Sequence, residues 1–348
     1  MDFKEKLKQD ALQVLKIAFA GQSGPNVLGY ALNSDLARVQ YILYKTHTEA
    51  ALAALSSQLE TEFAAQSHMY NEKLQEVSKI ILFYKGGPNA KGWIDRDAWL
   101  IWQFGPDEAL AECINFRVYF NVRPEKIVDF VKEFISKIFR YSGYCPKCGN
   151  KSAKLDYNTQ QIVCSICKNN QFDFYFKVHK PVSGAQIMGL LRTDKVVAYA
   201  PNKQVLAWLL SVVRQMNAGY FMRPTPFYTH EILPGVGYSV QPSAAQKERF
   251  YRDLGDERIM FSWGSFVALV LSQSLVAAVN EQKKRMQTLL NFLVTNPELL
   301  APEQLNRHLL NNIKSVIASA VEKFIIDQQL ANICKEIEAL EAAHALAK

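Results

Sequence analysis

Four cysteines sit as Cys145-Pro-Lys-Cys148 and Cys164-Ser-Ile-Cys167, with fifteen residues between the pairs. Each C-x-x-C places two thiolates on one turn, and two such turns close a tetrahedron around a metal ion. Pro146 and Gly149 suit the tight knuckle that lets backbone amides approach the sulfurs. Residues Tyr157 to Val163, polar at Asn158, Thr159 and Gln160, read as a hairpin between the knuckles. A redox pair or unrelated thiols would be the alternative, and two pairs at ribbon spacing weigh against it. The pattern predicts a zinc ribbon over residues 144–170. Its four protein ligands leave no open position, so the zinc is expected to be structural.

A polar ribbon needs a larger body to dock on. At 348 residues the chain can hold two domains, or one large domain with additions, and 49% hydrophobic and 21% charged residues are ordinary for a globular protein. The most apolar stretch, Phe266 to Val279, is short and interrupted by Ser272, Gln273 and Ser274, so a buried helix is expected rather than a membrane span. The charged start MDFKEKLKQD has no secretory h-region. With reduced zinc-ligating thiols this points to the cytoplasm. Cys113 and Cys334 are single and unpatterned. A net charge of +7 permits an acidic partner, but the lysines and arginines form no basic run. The ribbon has little aromatic platform beyond Tyr144 and Tyr157, so nucleic acid is the less favoured partner.

The first eighty residues read as helices, with breaks at Gly21 to Pro25 and Gly86-Gly87-Pro88 and a plausible N-cap at Ser34-Asp35. Trp99 to Phe104 and Phe116 to Val122 have the aromatic and β-branched content of strands. Pro124 to Arg140 reads as a helix with proline in its first turn and Ile127, Phe130, Val131, Phe134, Ile135 and Ile138 on one face. Strand texture resumes after the ribbon at Phe172 to Val178 and again at Lys195 to Ala200. A helix follows from Lys203 to about Ala218. Pro224-Thr-Pro226 and Pro234-Gly-Val-Gly237 read as one long surface loop. From Trp263 onward the chain reads as helical, ending in a long amphipathic helix from about Leu305 to Ala343.

The middle of the chain resembles a known family. Arg117-Val-Tyr-Phe-Asn-Val-Arg-Pro-Glu125 with its following helix is similar to the first core strand and helix of the phosphothreonine-lyase superfamily. More closely it resembles the HopA-type effector family, which includes lyase subunits of class V lanthipeptide and thioamitide biosynthesis. Phe176-Lys-Val178 is similar to the strand carrying that family's lysine, and Arg192-Thr-Asp-Lys-Val-Val-Ala-Tyr199 to its R-x-D-x-x-V-x-Y strand. Pro226-Phe and Leu233-Pro-Gly-Val-Gly237 match a proline-glycine loop, and Phe261-Ser-Trp-Gly264 the turn before a closing helix. Gly92-Trp93 and Trp99 resemble its glycine-tryptophan strand. Together these motifs span roughly residues 80 to 280. Two positions depart: Tyr119 stands where phosphothreonine lyases have a histidine, and Phe266 or Val267 where HopA-like proteins often carry an arginine.

The resemblance implies β-elimination of phosphate from phosphoserine or phosphothreonine, acting beside a kinase, with no organic cofactor. Lys177 is the implied base, with Tyr119 or His179 as the acid that assists the leaving phosphate. Arg192 is the first implied phosphate ligand, followed by Arg117, Arg123 and Tyr199. Each has a plainer reading. Lys177 could snorkel from a strand edge, Arg192 could pair with Asp194 or Asp173, and the tyrosines could be core aromatics.

The expected fold is α+β, a largely antiparallel central sheet flanked by helices. Residues 1–88 form a helical N-terminal region, 89–280 the lyase-like domain with the ribbon inserted, and 281–348 a helical extension. Such extensions commonly dock on another chain, so a non-catalytic scaffold is the alternative function, and a zinc-ribbon nucleic-acid binder a third.

Overall fold

The computed structural model describes residues 3–20, 33–49, 93–96, 99–104, 115–140, 143–144, 151–155, 162–168, 174–179, 192–255 and 261–294, together with Val27, Tyr30, Ala31, Glu72, Glu76 and Cys148. Expectations for Cys145 and the helix from Leu305 lie outside the described residues, as does the helix near Asn71 to Tyr84 apart from Glu72 and Glu76, which are helical. The chain divides into two compact units, Glu49–Gln241 with Asn332–Lys348, and Met1–Thr48 with Pro242–Ala331.

The first of these units is α+β. Its strands are β1 (Trp93–Arg96), β2 (Trp99–Phe104) and β3 (Phe116–Phe120), then β4 (Gly143–Tyr144), β5 (Lys151–Leu155) and β6 (Ile162–Cys164), then β7 (Phe174–His179), β8 (Val196–Ala200), β9 (His230–Leu233) and β10 (Val236–Val240). Its helices are α3 (Ile127–Arg140) and α4 (Lys203–Val213). Among the described residues, seven strands form one sheet in the order β1-β2-β7-β8-β3-β10-β9, with every neighbouring pair antiparallel. Strands β4, β5 and β6 form a separate small sheet.

Strand alternation sorts the main sheet into two chemically different faces. Phe116, Val118 and Phe120 lie in register with Ala200, Ala198 and Val196, and Ala198 with Phe176. All are buried and join α3 and α4 in one apolar cluster. Phe120 meets Phe130 and Phe134 at centroid distances of 5.4 and 5.6 Å, and Phe134 meets Phe176 at 5.4 Å. The sixfold apolar face read on α3 is therefore the face the sheet receives, and Ile127, Phe130, Val131, Phe134, Ile135 and Ile138 are all fully buried. The opposite face carries Arg117, Tyr119, Lys177, Val197 and Tyr199, and it is polar where the first is apolar.

Two elements differ from the sequence reading. Residues read as one long surface loop contain a β-hairpin, β9 and β10, joined through Pro234 and Gly235, with Leu233 opposite Val236. Ile232, Val236, Tyr238 and Val240 pack on the apolar cluster, so burial of that alternating set outweighs the loop signal of the prolines. Gly235 has φ +84°, and a Cβ there would lie 2.5 Å from the carbonyl oxygen of Met222. Proline and glycine here make a tight turn and leave the strands intact.

The second unit contains α1 (Phe3–Ala20), α2 (Leu36–Glu49), α5 (Ala244–Leu254) and α6 (Trp263–Val294). Helix α5 was not expected. Its start is a capping box between Ser243 and Gln246, and its end is Gly255 at φ +69°. Phe250 on α5 packs with Phe266 and Leu269 of α6, and Leu36 of α2 lies against this cluster. Gln40 of α2 donates to the carbonyl of Ser265 at 3.1 Å. The expected buried helix over Phe266 to Val279 is present: Phe266, Val267, Leu269, Leu271, Leu275 and Val279 are buried. No helix among the described residues is long and apolar enough to cross a membrane.

Candidate functional site

The polar sheet face gathers cations around one indole. Trp99 of β2 pairs in register with His179 of β7, which places Lys177 one step along the same face. The Nζ of Lys177 lies 3.9 Å from the Trp99 ring centroid and 5.6 Å from that of Tyr199. The Arg192 guanidinium lies 5.4 Å from the same indole, and the His179 ring meets its edge at 4.8 Å. On the next strands Arg117 pairs with Tyr199 and stands 5.3 Å from its ring. Lys177, Arg192, Arg117, Tyr199 and His179 are therefore brought together, as the sequence reading grouped them.

Asp194 orients part of this cluster. Arg192 donates through Nε and Nη2 to both carboxylate oxygens of Asp194, at 2.8 and 2.9 Å. The ion pair raised as the plainer reading of Arg192 is thus present, and it fixes the plane of the guanidinium beside Trp99. Among the described residues of this face, Lys177, Arg192 and Arg117 stand with Asp194. Arg123 stands apart. It is exposed at the start of the turn Pro124–Lys126, and its backbone N–H donates to Tyr220.

Burial sets the protonation of the neighbours. Tyr119 is pushed up to about 12, chiefly by desolvation, although Arg117 and a hydrogen bond from Ser239 pull it down. The Ser239 hydroxyl donates to Tyr119 Oη at 3.1 Å, so Tyr119 stays a neutral phenol with its own proton to donate. His179 is lowered to about 3, first by burial and then by Arg192, so it is a neutral imidazole throughout the physiological range.

The sequence reading missed two contributors. Trp99 was noted for its resemblance and not as the residue that both Lys177 and Arg192 approach. Lys195 was read only as the first residue of a strand. It is 1% exposed, and its Nζ donates to Asn121 Oδ1 at 2.6 Å. A lysine between Asp194 and an apolar strand was the available signal.

The ribbon cysteines form a second centre. Ligand atoms of Cys148, Cys164 and Cys167 all lie within 4.8 Å of one another, and the Sγ atoms of Cys148 and Cys164 are 3.7 Å apart. A tetrahedral zinc–thiolate site has sulfur–sulfur edges of about 3.8 Å, from bonds of about 2.3 Å. The donor set therefore fits a thiolate metal site and is far too open for a disulfide. The backbone N–H of Cys167 points at Cys164 Sγ at 3.4 Å, and Lys168, at φ +56°, turns back onto the Cys164 carbonyl at 3.0 Å. Strands β5 and β6 pair between the knuckles, with Leu155 opposite Ile162, so the first strand lies before the Tyr157 start read from the sequence, and residues 156–161 of that reading lie outside the described residues. Cys164 is fully buried in the cluster that contains α3 and α4. This centre therefore lies on the helix side of the main sheet, away from the face carrying Lys177.

Comparison with known families finds a match to the HopA1 effector protein family over residues 158–290. No curated protein matches the sequence at a significant level. The matched stretch contains Lys177, Arg192, Asp194, Lys195 and Tyr199, the β9–β10 hairpin and most of α6, while Trp99, Arg117, Tyr119 and Cys148 precede it. The resemblance read from the motifs thus meets this match where the lysine and arginine lie, and residues 158–290 are similar to the HopA1 effector protein family.

Proposed function

We propose that the protein is a HopA-like lyase that removes phosphate from phosphoserine or phosphothreonine in a peptide. What supports this reading is the grouping of Lys177 and Arg192 on Trp99, with Arg117 on the adjoining strand, all on the polar sheet face. A phosphate dianion matches the guanidinium forks that Arg192 and Arg117 present on this face.

Elimination breaks the Cα–H bond, turns its electron pair into the Cα=Cβ bond, and releases phosphate with the Cβ–O electron pair. Lys177 takes the Cα proton, and Arg192 and Arg117 hold the phosphate as charge develops on it. Tyr119 is the better proton donor to the leaving oxygen, because it is held as a phenol while His179 carries no proton to give from an imidazolium. His179 instead packs the edge of Trp99. The products are dehydroalanine or dehydrobutyrine, and the phosphorylated residue would be made by a separate kinase. Zinc at Cys145, Cys148, Cys164 and Cys167 would hold the ribbon onto α3 and α4, with the protein acting in the cytoplasm.

Mass spectrometry of a phosphothreonine peptide incubated with the protein tests this directly, the expected change being a loss of about 98 Da. Lys177→Ala and Arg192→Ala should abolish it. An unmodified peptide, with kinase-phosphorylated substrates equally untouched, would sink the lyase reading. One observation favours a non-catalytic scaffold instead. Phe266 and Val267 are buried apolar side chains at the positions where the family's arginine would be sought, so α6 offers no cation there.

A further inference from the structure

The chemistry above leaves Lys195 unused, although a fully buried lysine is costly and rare. It stands immediately before β8, where three strands line up. The backbone N–H of His179 on β7 donates to the Lys195 carbonyl at 2.7 Å, and its Nζ reaches Asn121 just beyond β3. Asn121 is itself locked. Its side-chain amide donates to the carbonyl of Pro224 at 2.9 Å, and its backbone bonds to Gly235 and Met222 at 2.8 and 2.9 Å. Lys195 therefore couples the strand row next to Lys177 and Tyr119 to the proline loop and the β9–β10 turn.

The charged and titratable groups that act on it come from every side. His179 contributes from β7, Arg192 and Asp194 from the turn before β8, and Glu125 from the turn Pro124–Lys126. Its hydrogen-bond partner is a neutral amide, and the pull of Asp194 and Glu125 offsets only part of its desolvation. We propose that Lys195 is a positioning residue of the oxyanion site, whose ammonium, one strand from Lys177 and three residues along the chain from Arg192, strengthens oxyanion binding on the polar face. This rests on the reading that the face binds phosphate. Burial lowers Lys195 to about 7, so its contribution is present below neutrality and withdrawn above it. His179, neutral down to about 3, does not titrate in that interval.

Calorimetric titration of the full chain with inorganic sulfate tests this, because sulfate keeps both charges across the neutral range. Wild-type affinity should fall about tenfold as Lys195 loses its charge, the size expected for one charge acting across a partly screened gap. Lys195→Met should bind weakly with a flat pH profile. Lys195→Arg, a permanent cation, should bind tightly with a flat profile, and it carries the test if the methionine variant does not fold. The same fall with pH in either variant as in wild type would overturn the role of Lys195 while leaving the oxyanion site standing. No sulfate binding by wild type at any pH in low salt would overturn both.

Discussion

Lys177 Nζ sits 3.9 Å from the centre of the Trp99 indole, on a neighbouring strand two pairs away from the His179 that faces Trp99 in register. Arg192 approaches the same ring at 5.4 Å. A single aromatic plane thus sets where two cations of different chain segments stand. The ring quadrupole attracts both, and the two-point ion pair with Asp194 fixes the plane of Arg192 beside it.

Trp99 should consequently matter to the cation face out of proportion to its distance from any phosphate. Trp99→Ala is expected to weaken sulfate or phosphopeptide binding about tenfold, with a cost of roughly 1–2 kcal/mol in stability. Trp99→Phe, which keeps a π face, should lose less of both. Equal binding by wild type and Trp99→Ala in calorimetric titration would remove the indole from the site.

Metal removal should be felt beyond the ribbon. Cys164 is buried in the cluster that includes α3 and α4, so the sulfur cage is continuous with the main core. One zinc per chain is expected by metal analysis, with metal–sulfur distances near 2.3 Å by X-ray absorption. Cys148→Ser with Cys167→Ser should release the metal and lower the thermal midpoint of the sheet unit as well as loosening residues 144–170. Metal-free wild type, purified under reducing conditions, would contradict a structural zinc.

Acid should destabilise the fold through two buried bases. Lys195 is lowered from its ordinary 10.5 to about 7 and His179 from 6.5 to about 3. Between each pair of values the unfolded chain binds the proton and the folded chain does not, so stability rises with pH. The Lys195 contribution is full above about 10.5 and lost as pH falls through 7. The His179 contribution is full above about 6.5 and lost as pH falls towards 3. Each unit of displacement is worth roughly 1.4 kcal/mol. Urea unfolding of wild type against Lys195→Met should therefore diverge between pH 7 and 10.5, with the variant gaining relative stability at the acid end. Parallel curves would show that Lys195 titrates normally.

Much of the frame was legible before folding. The six apolar positions of α3 recur at helical spacing, and the alternation of Phe116, Val118 and Phe120 with Arg117 and Tyr119 already separates two faces of a strand. The clustering of Cys148, Cys164 and Cys167 was written in the spacing of the thiols. Helix α5 was legible too, in Ser243, Gln246 and Gly255, but its polar sequence, with only Phe250 buried, gave no apolar stripe to draw attention. The β9–β10 hairpin was obscured because Pro234 and Gly235 mark a loop in isolation and a two-residue turn when strands flank them.

The sequence by itself determined the local choices: which segments are strands or helices, which side of each strand is apolar, and which thiols can share a metal. These follow from neighbours a few residues apart, where periodicity and backbone chemistry act. The strand order decided the rest. Only the placement of β7 between β2 and β8, and of β3 between β8 and β10, brings Trp99 beside Lys177 and Lys195 within reach of Asn121, 74 residues away. Lys195 shows the physical reason. Its chain neighbours, Asp194 and an apolar strand, hint at burial, but its hydrogen bond to a neutral amide exists only once three strands close around it.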